Sequence, residues 1–217
     1  MPEKGLVSRV EGFVLAGGRA RRFGADKALA VLGGAPLLAH ALSSLAVLGL
    51  DARVVAADSA PYAALARGFV TSERPGRGPA EGLRAALEAC RAPWALVLAT
   101  DMPGIGAPAL GILLAALPDA GADDGPRAVC FGEASGRRHP LPGLYHRSLV
   151  EVFFRPPEPV SLQQVLDLAS ARVLPAEAGG LGGEFANVNT PADLVRLEEG
   201  PADPLSPRRG PSEPESD

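Results

Sequence analysis

Val10-Glu11-Gly12-Phe13-Val14-Leu15-Ala16-Gly17-Gly18-Arg19-Ala20-Arg21-Arg22-Phe23-Gly24-Ala25-Asp26-Lys27 decides how this chain is read. A short apolar run suited to a buried strand passes directly into a turn with three glycines, three arginines and a lysine, and an Ala-rich segment follows. Glycine lets a backbone pass close to a ligand. The N–H groups exposed in such a turn form an anion cradle, and the cationic side chains add fixed positive charge. The rest of the chain carries a slight acidic excess, so the clustering of basic residues here points to a polyphosphate rather than to solvated arginines. The stretch is not a Walker A loop, because Gly18 and Gly24 are separated by five residues and Gly24 is followed by Ala25-Asp26-Lys27. Nor is it the dinucleotide fingerprint G-x-G-x-x-G, which makes hydride transfer with a nicotinamide cofactor a poor reading.

Outward from this turn, apolar strands alternate with helical segments. Val10 to Ala16 reads as the first strand, and Pro36 to Leu48 as a helix with Pro36 in its first turn. Ala52–Ala57 is a second strand, Ser59 to Arg67 a helix capped by Ser59, and Phe69–Thr71 a short third strand. A Gly/Pro-rich loop from Glu73 to Pro79 leads into a helix from Ala80 to Arg91. Trp94–Ala99 is apolar throughout, as the middle of a parallel sheet requires, and a helix from Pro108 to Leu117 follows it. In the second half, Arg127–Phe131, His139–Tyr145 and Arg172–Leu174 read as strands. Ser148–Phe154, Ser161–Ala169 and Thr190–Glu198 read as helices, the last with Thr190 as N-cap and Pro191 at its first position. The expectation is an α/β three-layer sandwich with a mostly parallel, Rossmann-like central sheet, whose ligands sit at the carboxyl ends of the strands. Residues 1–198 are read as one domain, and the proline-punctuated acidic segment 199–217 as a disordered tail.

The chain has 217 residues, 47% of them hydrophobic and only 5% aromatic, so its core is built from Ala, Val and Leu. A net charge of −4 argues against nucleic acid or an anionic membrane as partner. No apolar run approaches the ~20 residues that span a bilayer. The first residues lack an export-type apolar region, and two unpaired cysteines, Cys90 and Cys130, fit a reducing cytoplasm. Cys130 with His139 and His146 matches no metal-ligand spacing.

Thr100-Asp101-Met102-Pro103 carries the second signal. An acidic residue at the end of a buried strand, held by a following proline, is a rigid carboxylate at the mouth of the sheet. Mg²⁺ is bound by one or two carboxylates together with substrate phosphates, and Asp101 fits that role. Taken alone, Asp101 reads slightly better as an N-cap or turn-forming residue; the glycine loop tips the balance towards metal. Asn187 and Asn189, two apart in Phe185-Ala186-Asn187-Val188-Asn189-Thr190-Pro191, face the same side of an extended segment. They either hold a polar substrate or tie down neighbouring backbone.

Together these elements resemble the MobA-like nucleotidyltransferases, the family that makes molybdopterin dinucleotides. The family's loop reads Leu-Ala-Gly-Gly, a basic stretch, Arg-Met-Gly, then Asp-Lys; here Leu15-Ala16-Gly17-Gly18, Arg22-Phe23-Gly24 and Asp26-Lys27 stand in that order, with Phe23 in place of Met. Gly78-Pro79-Ala80-Glu81-Gly82 is similar to the family's Gly-Pro-Leu-Ala-Gly loop beside the nucleotide base. Glu81 departs from it, and either accepts from a guanine edge or faces solvent. The family's Asn-x-Asn-Thr-Pro-Glu-Asp-Leu is matched by Asn187 to Leu194.

The resemblance, which runs from about Phe13 to Leu197, implies transfer of GMP from GTP to the terminal phosphate of molybdopterin, with pyrophosphate leaving. It implies a nucleotide site made of Leu15, Ala16, Gly17, Gly18, Arg22, Gly24, Lys27, Gly78, Pro79 and Asp101, with Lys27, Arg22 and Asp101 catalytic. It also implies Mg²⁺ on Asp101, an acceptor site at Asn187 and Asn189, and transient contact with proteins that deliver the cofactor or mature molybdoenzymes. A cytidylyltransferase, or a non-catalytic nucleotide binder on the same fold, remains the alternative at this level.

Overall fold

The structure, a computed structural model, describes residues 8–16, 26–72, 77–118, 125–155, 161–177, 185 and 187–199. Seven of its strands form one sheet: β1 (Val10–Leu15), β4 (Ala52–Ala56), β5 (Gly68–Thr71), β6 (Trp94–Ala99), β7 (Ala128–Gly132), β8 (Arg138–His146) and β9 (Arg172–Pro175). Their order is β5-β4-β1-β6-β8-β7-β9. All neighbours are parallel except at β8, which runs antiparallel to both β6 and β7. The expected mostly parallel sheet is therefore present, with one reversed strand in its C-terminal half. Two further two-residue strands, β2 (Val31–Leu32) and β3 (Ala35–Pro36), form a small hairpin that the sequence reading passed over.

Strand alternation divides the apolar residues between the two faces of the sheet. Val10 and Val14 of β1, and Leu96 and Leu98 of β6, join one core with Leu38, Ala41 and Leu45 of helix α1 (Leu37–Val47) and Leu110 and Leu113 of α3 (Ala107–Ala115). Phe13 of β1, with Ala95 and Val97 of β6, joins the other, under Leu83, Ala86 and Leu87 of α2 (Pro79–Ala89) and Val165 and Leu166 of α4 (Leu162–Leu168). Helices cover both faces, as the alternation of strand and helix implied, and β6 is apolar throughout because neither face meets water.

Local signals explain most boundaries. Helix α1 ends in a Schellman motif: the Gly49 N–H donates to the Ala46 carbonyl and the Leu50 N–H to that of Leu45, while the Leu45 and Leu50 side chains are both buried. Ser161 and Gln164 form a reciprocal capping box at the start of α4. Three expectations are corrected. Pro36 lies in β3 and immediately precedes α1, outside its first turn. The Arg147–Phe154 segment winds as a 3-10 helix. The Ser59–Arg67 helix is only a 3-10 turn, Ala60–Tyr62, and Ser59 makes no cap bond. There the Asp58 Oδ1 accepts from the Ala60 N–H at 2.9 Å, and the turn delivers Tyr62 into the core instead of propagating. Helix α5 (Pro191–Glu199) takes in the first residue of the expected tail, and residues 200–217 lie outside the described residues.

Candidate active site

The last residues of β1 and β6, Leu15 and Ala99, are partners in the sheet. The chain leaves β1 at Ala16, whose N–H donates to the Val55 carbonyl at 2.9 Å, beside the point where it leaves β6 at Thr100. The glycine loop and the Asp101 segment thus begin on the same edge of the sheet, at the carboxyl ends expected for ligands. Gly17, Gly18, Arg22 and Gly24 lie outside the described residues. The Asp26 Oδ1 caps a short 3-10 turn, Lys27–Leu29, by accepting from the Ala28 N–H at 3.0 Å. Its Oδ2 accepts from the Tyr62 hydroxyl at 2.6 Å.

This turn aims Lys27 at Asp101, with Nζ 3.7 Å from Asp101 Oδ2. Burial lowers the Lys27 pKa, opposed by the carboxylates of Asp101 and then Asp193. The Asp101 carboxylate is asymmetric: Oδ2 faces the lysine, while Oδ1 is buried and has no hydrogen-bond partner among the described residues. A buried, unpartnered carboxylate oxygen is costly unless something electropositive meets it. Among the described residues no cluster of three or more His, Cys, Asp or Glu side chains could form a closed metal cage. One carboxylate with an open oxygen is instead the donor set of an ion that takes its remaining ligands from water and phosphate.

The C-terminal segment closes onto the same spot. The Val188 N–H donates to the Asp101 carbonyl at 2.8 Å, with the Val188 side chain buried and Asn187 and Asn189 exposed on either side of it. The shared orientation read from the sequence is present, and the Asn pair is brought beside Asp101. Asp193 holds this segment, its Oδ2 accepting from the Asn189 and Thr190 N–H groups at 2.8 Å each. Those bonds hold the Asp193 carboxyl below the usual carboxylate range, the Asn189 N–H first. The Thr190 Oγ1 in turn accepts from the Asp193 N–H at 3.3 Å, as expected of an N-cap. Further back, Phe185 stacks on His139 with ring centroids 4.4 Å apart. His139 is buried and its Nε2 lies 2.8 Å from Glu133 Oε1, so it is committed to packing and pairing rather than free as a base.

Gly78 and Pro79 start α2. Gly78 has φ 77°, a left-handed conformation that glycine adopts without strain, and Pro79 occupies a first-turn position. Gly82, one turn on, lets α2 approach β1: a Cβ there would meet the Leu15 side chain at 3.2 Å. Leu15 and the Gly78-Pro79 turn are therefore tied together through that contact. Glu81 does neither of the two things its sequence left open. It is buried, and its two oxygens accept from Arg84 Nε at 3.0 and 3.1 Å and from Nη2 at 2.7 Å; Glu88 completes the pairing of Arg84.

The structure brings Lys27, Asp101 and the Asn187–Asn189 segment together, and the residues that hold them, Asp193 and Tyr62, were not singled out in the sequence. Asp193 did carry a signal, since Thr190-x-x-Asp193 has capping-box spacing. Tyr62 carried none, standing 36 residues from the aspartate it meets.

Residues 12–173 match the MobA-like NTP transferase domain. This chain belongs to that family. A molybdenum cofactor guanylyltransferase of Rhizobium johnstonii is 32% identical over 206 residues, covering 88% of this chain and 92% of the relative. Another, of Rhodobacter capsulatus, is 31% identical over 201 residues, covering 88% and 96%. The crystal structure of molybdopterin-guanine dinucleotide biosynthesis protein A from Archaeoglobus fulgidus superposes with a TM-score of 0.68 at 25% identity, over 87% of this chain and 97% of that one. Family membership places this chain among nucleotidyltransferases, and its mostly parallel sheet is the nucleotide-diphospho-sugar transferase architecture that the motifs implied.

Proposed function

We propose that this protein transfers GMP from GTP to the terminal phosphate of molybdopterin, forming a molybdopterin guanine dinucleotide and releasing pyrophosphate. One observation carries the reading: Asp101 presents a buried oxygen, unpartnered among the described residues, at the carboxyl end of β6, with Lys27 on its other oxygen and the Asn187–Asn189 segment hydrogen-bonded to its backbone. Family membership and the relatives' names agree with it.

In this mechanism an oxygen of the molybdopterin phosphate attacks the α-phosphorus of GTP. One P–O bond forms, and the bond to the pyrophosphate oxygen breaks. No protein nucleophile is required, so catalysis is positioning and charge neutralisation. Lys27 is a compact cation and offsets negative charge growing on the departing pyrophosphate. Gly17, Gly18, Gly24 and Arg22 take the phosphates, with Leu15 and Ala16 as the strand end that launches the loop. The Gly78-Pro79 turn borders the base. Asn187 and Asn189, exposed beside Asp101, offer amide donors to the acceptor. Asp101 would hold Mg²⁺, which when bound neutralises phosphate charge. The nucleotide half and the acceptor half belong to one domain, residues 1–198, whose two ligands meet at Asp101.

Among the described residues no helix is long and apolar enough to cross a membrane. Cys90 and Cys130 are both buried and free, and burial pushes their thiols up to about 12 and about 11. These features suit a cytoplasmic enzyme that meets cofactor-delivering and molybdoenzyme-maturing proteins transiently. The test is pyrophosphate release with purified molybdopterin as acceptor and GTP, CTP, ATP and UTP supplied in turn with Mg²⁺. GTP is expected to dominate. Preference for CTP would overturn the guanine assignment, and GTP binding without turnover would overturn the enzymatic one.

A further inference from the structure

We infer that Tyr62 is a positioning residue for the nucleotidyl transfer, acting through Asp26 to fix the direction in which Lys27 points. The inference rests on the reading of Lys27 as a phosphate ligand, and goes beyond it by assigning a role to a residue outside every motif of the sequence.

Lysine is a poor tool for meeting a phosphate at a set place. Its four-carbon stem has many rotamers, and nothing in the ammonium group is directional. Its backbone must therefore be fixed if the charge is to be delivered reproducibly. Here that backbone sits in a 3-10 turn of only three residues, Lys27–Leu29, too short to hold itself. Asp26 supplies the anchor. One of its oxygens caps the Ala28 N–H and the other accepts from Tyr62, so the carboxylate is held from two sides.

Tyr62 in turn is held rigidly. It is 3% exposed and packs in the core on the α1 side of the sheet. Its backbone is built into the 3-10 turn that Asp58 caps beyond β4, and its carbonyl accepts from the Leu65 and Ala66 N–H groups at 2.9 and 3.1 Å. The hydroxyl is half of a 2.6 Å bond to a carboxylate, a short, charge-assisted contact. Burial and the neighbouring Asp26 push the phenol well above its ordinary range, so it stays a donor at every working pH. The path from the end of β4 to the Lys27 turn is therefore one buried ring and two hydrogen bonds long. It explains why the segment after β4 abandons a helix that its composition would support.

The test is a double-mutant cycle of Tyr62→Phe and Lys27→Met, measured as kcat/KM for GTP and as Mg-GTP affinity by titration calorimetry. Tyr62→Phe keeps the packed ring and removes only the donor. In the Lys27 background it is expected to lower kcat/KM for GTP about tenfold, the scale of one hydrogen bond to a charged group, with the KM for molybdopterin unchanged. In the Lys27→Met background the same substitution is expected to change GTP affinity and turnover by less than about twofold, because the group it positions is gone. The thermal midpoint should fall equally in both backgrounds. Equal losses of GTP affinity and turnover in the two backgrounds would overturn the inference, as would no loss in the first. If Lys27→Met itself binds and turns over GTP normally, the phosphate role of Lys27 falls and the inference with it. If Lys27→Met is impaired and Tyr62→Phe is silent, only the inference falls.

Discussion

Lys27 and Asp101 form an ion pair that uses only half of the carboxylate: Nζ is 3.7 Å from Oδ2, while Oδ1 is buried without a partner among the described residues. The two side chains are 16% and 32% exposed, and at that separation and exposure the attraction contributes little to folding. On the proposed mechanism, the open Oδ1 is where a magnesium ion would join the pair.

The first prediction follows. Asp101→Asn preserves the shape of the side chain and removes the charge that a divalent ion needs. It should lower metal-dependent pyrophosphate release by about 10²-fold or more, while the thermal midpoint changes by a degree or two. The measurement pairs a Mg²⁺ titration of turnover with a thermal melt. Near-normal activity with unchanged Mg²⁺ dependence would remove Asp101 from the chemistry.

Asp193 gives the second prediction. Its carboxylate accepts from the Asn189 and Thr190 N–H groups, and it also contributes to the negative field at Lys27. Asp193→Ala should lower the thermal midpoint modestly, because the start of α5 loses its reciprocal capping contact. It should raise the KM for molybdopterin more than the KM for GTP, because the Asn189 backbone is freed while the glycine loop is untouched. Steady-state kinetics with each substrate varied separately decides it. An effect confined to GTP would place Asp193 with Lys27 instead.

The fold was legible because it is written in apolar periodicity. β1 and β6 announce themselves as buried runs, and their alternation on either side of the sheet follows from the strand geometry alone. The loss came where polar contacts across long sequence separations decide local structure. Nothing in Ser59–Arg67 says that Asp58 will cap Ala60 and that Tyr62 will reach Asp26, so a helix was the natural reading. In the candidate site, Asp101 just beyond β6 and Lys27 at the start of a 3-10 turn stand at motif positions. The residues that hold them were not legible as such, because a tyrosine in a core and an aspartate in a cap look the same whatever they support. The placement of Gly17, Gly18, Arg22 and Gly24 lies outside the described residues, so their part remains with the proposed mechanism.

A third prediction concerns acid. His146 lies edge-on to Trp94 at 5.1 Å, and its Nδ1 is 2.8 Å from the Ser148 hydroxyl. Burial first, then Arg127 and Arg147, lower its pKa below the ordinary histidine value. The unfolded chain therefore binds this proton more readily than the folded one, and stability must rise with pH through the window between the folded and unfolded values. The His146 contribution is complete above the unfolded value of about 6.5 and is lost as pH falls through the lower, folded value. Urea midpoints from pH 7.5 down to 5 should decline, and His146→Gln should flatten the decline. A decline of the same steepness in that variant would assign it to other groups.

The last prediction separates Glu81 from base recognition. In the first turn of α2, beside Gly78 and Pro79, a carboxylate is well placed in sequence to read a guanine edge. In the fold it is turned inward onto Arg84, both side chains 6% exposed, with Glu88 sharing the guanidinium. Removing one partner of a buried pair leaves the other charge poorly compensated, which is where the cost lies. Because Glu88 remains, Glu81→Gln should cost about 2 kcal/mol rather than the full penalty of an orphaned buried cation. The ratio of kcat/KM for GTP to that for CTP should be unchanged, since no oxygen of Glu81 is free to meet a base. Urea denaturation gives the first quantity and the nucleotide panel the second. A collapse of GTP over CTP preference at unchanged stability would mean that the Glu81–Arg84 pair opens when nucleotide binds, and would return the carboxylate to the base.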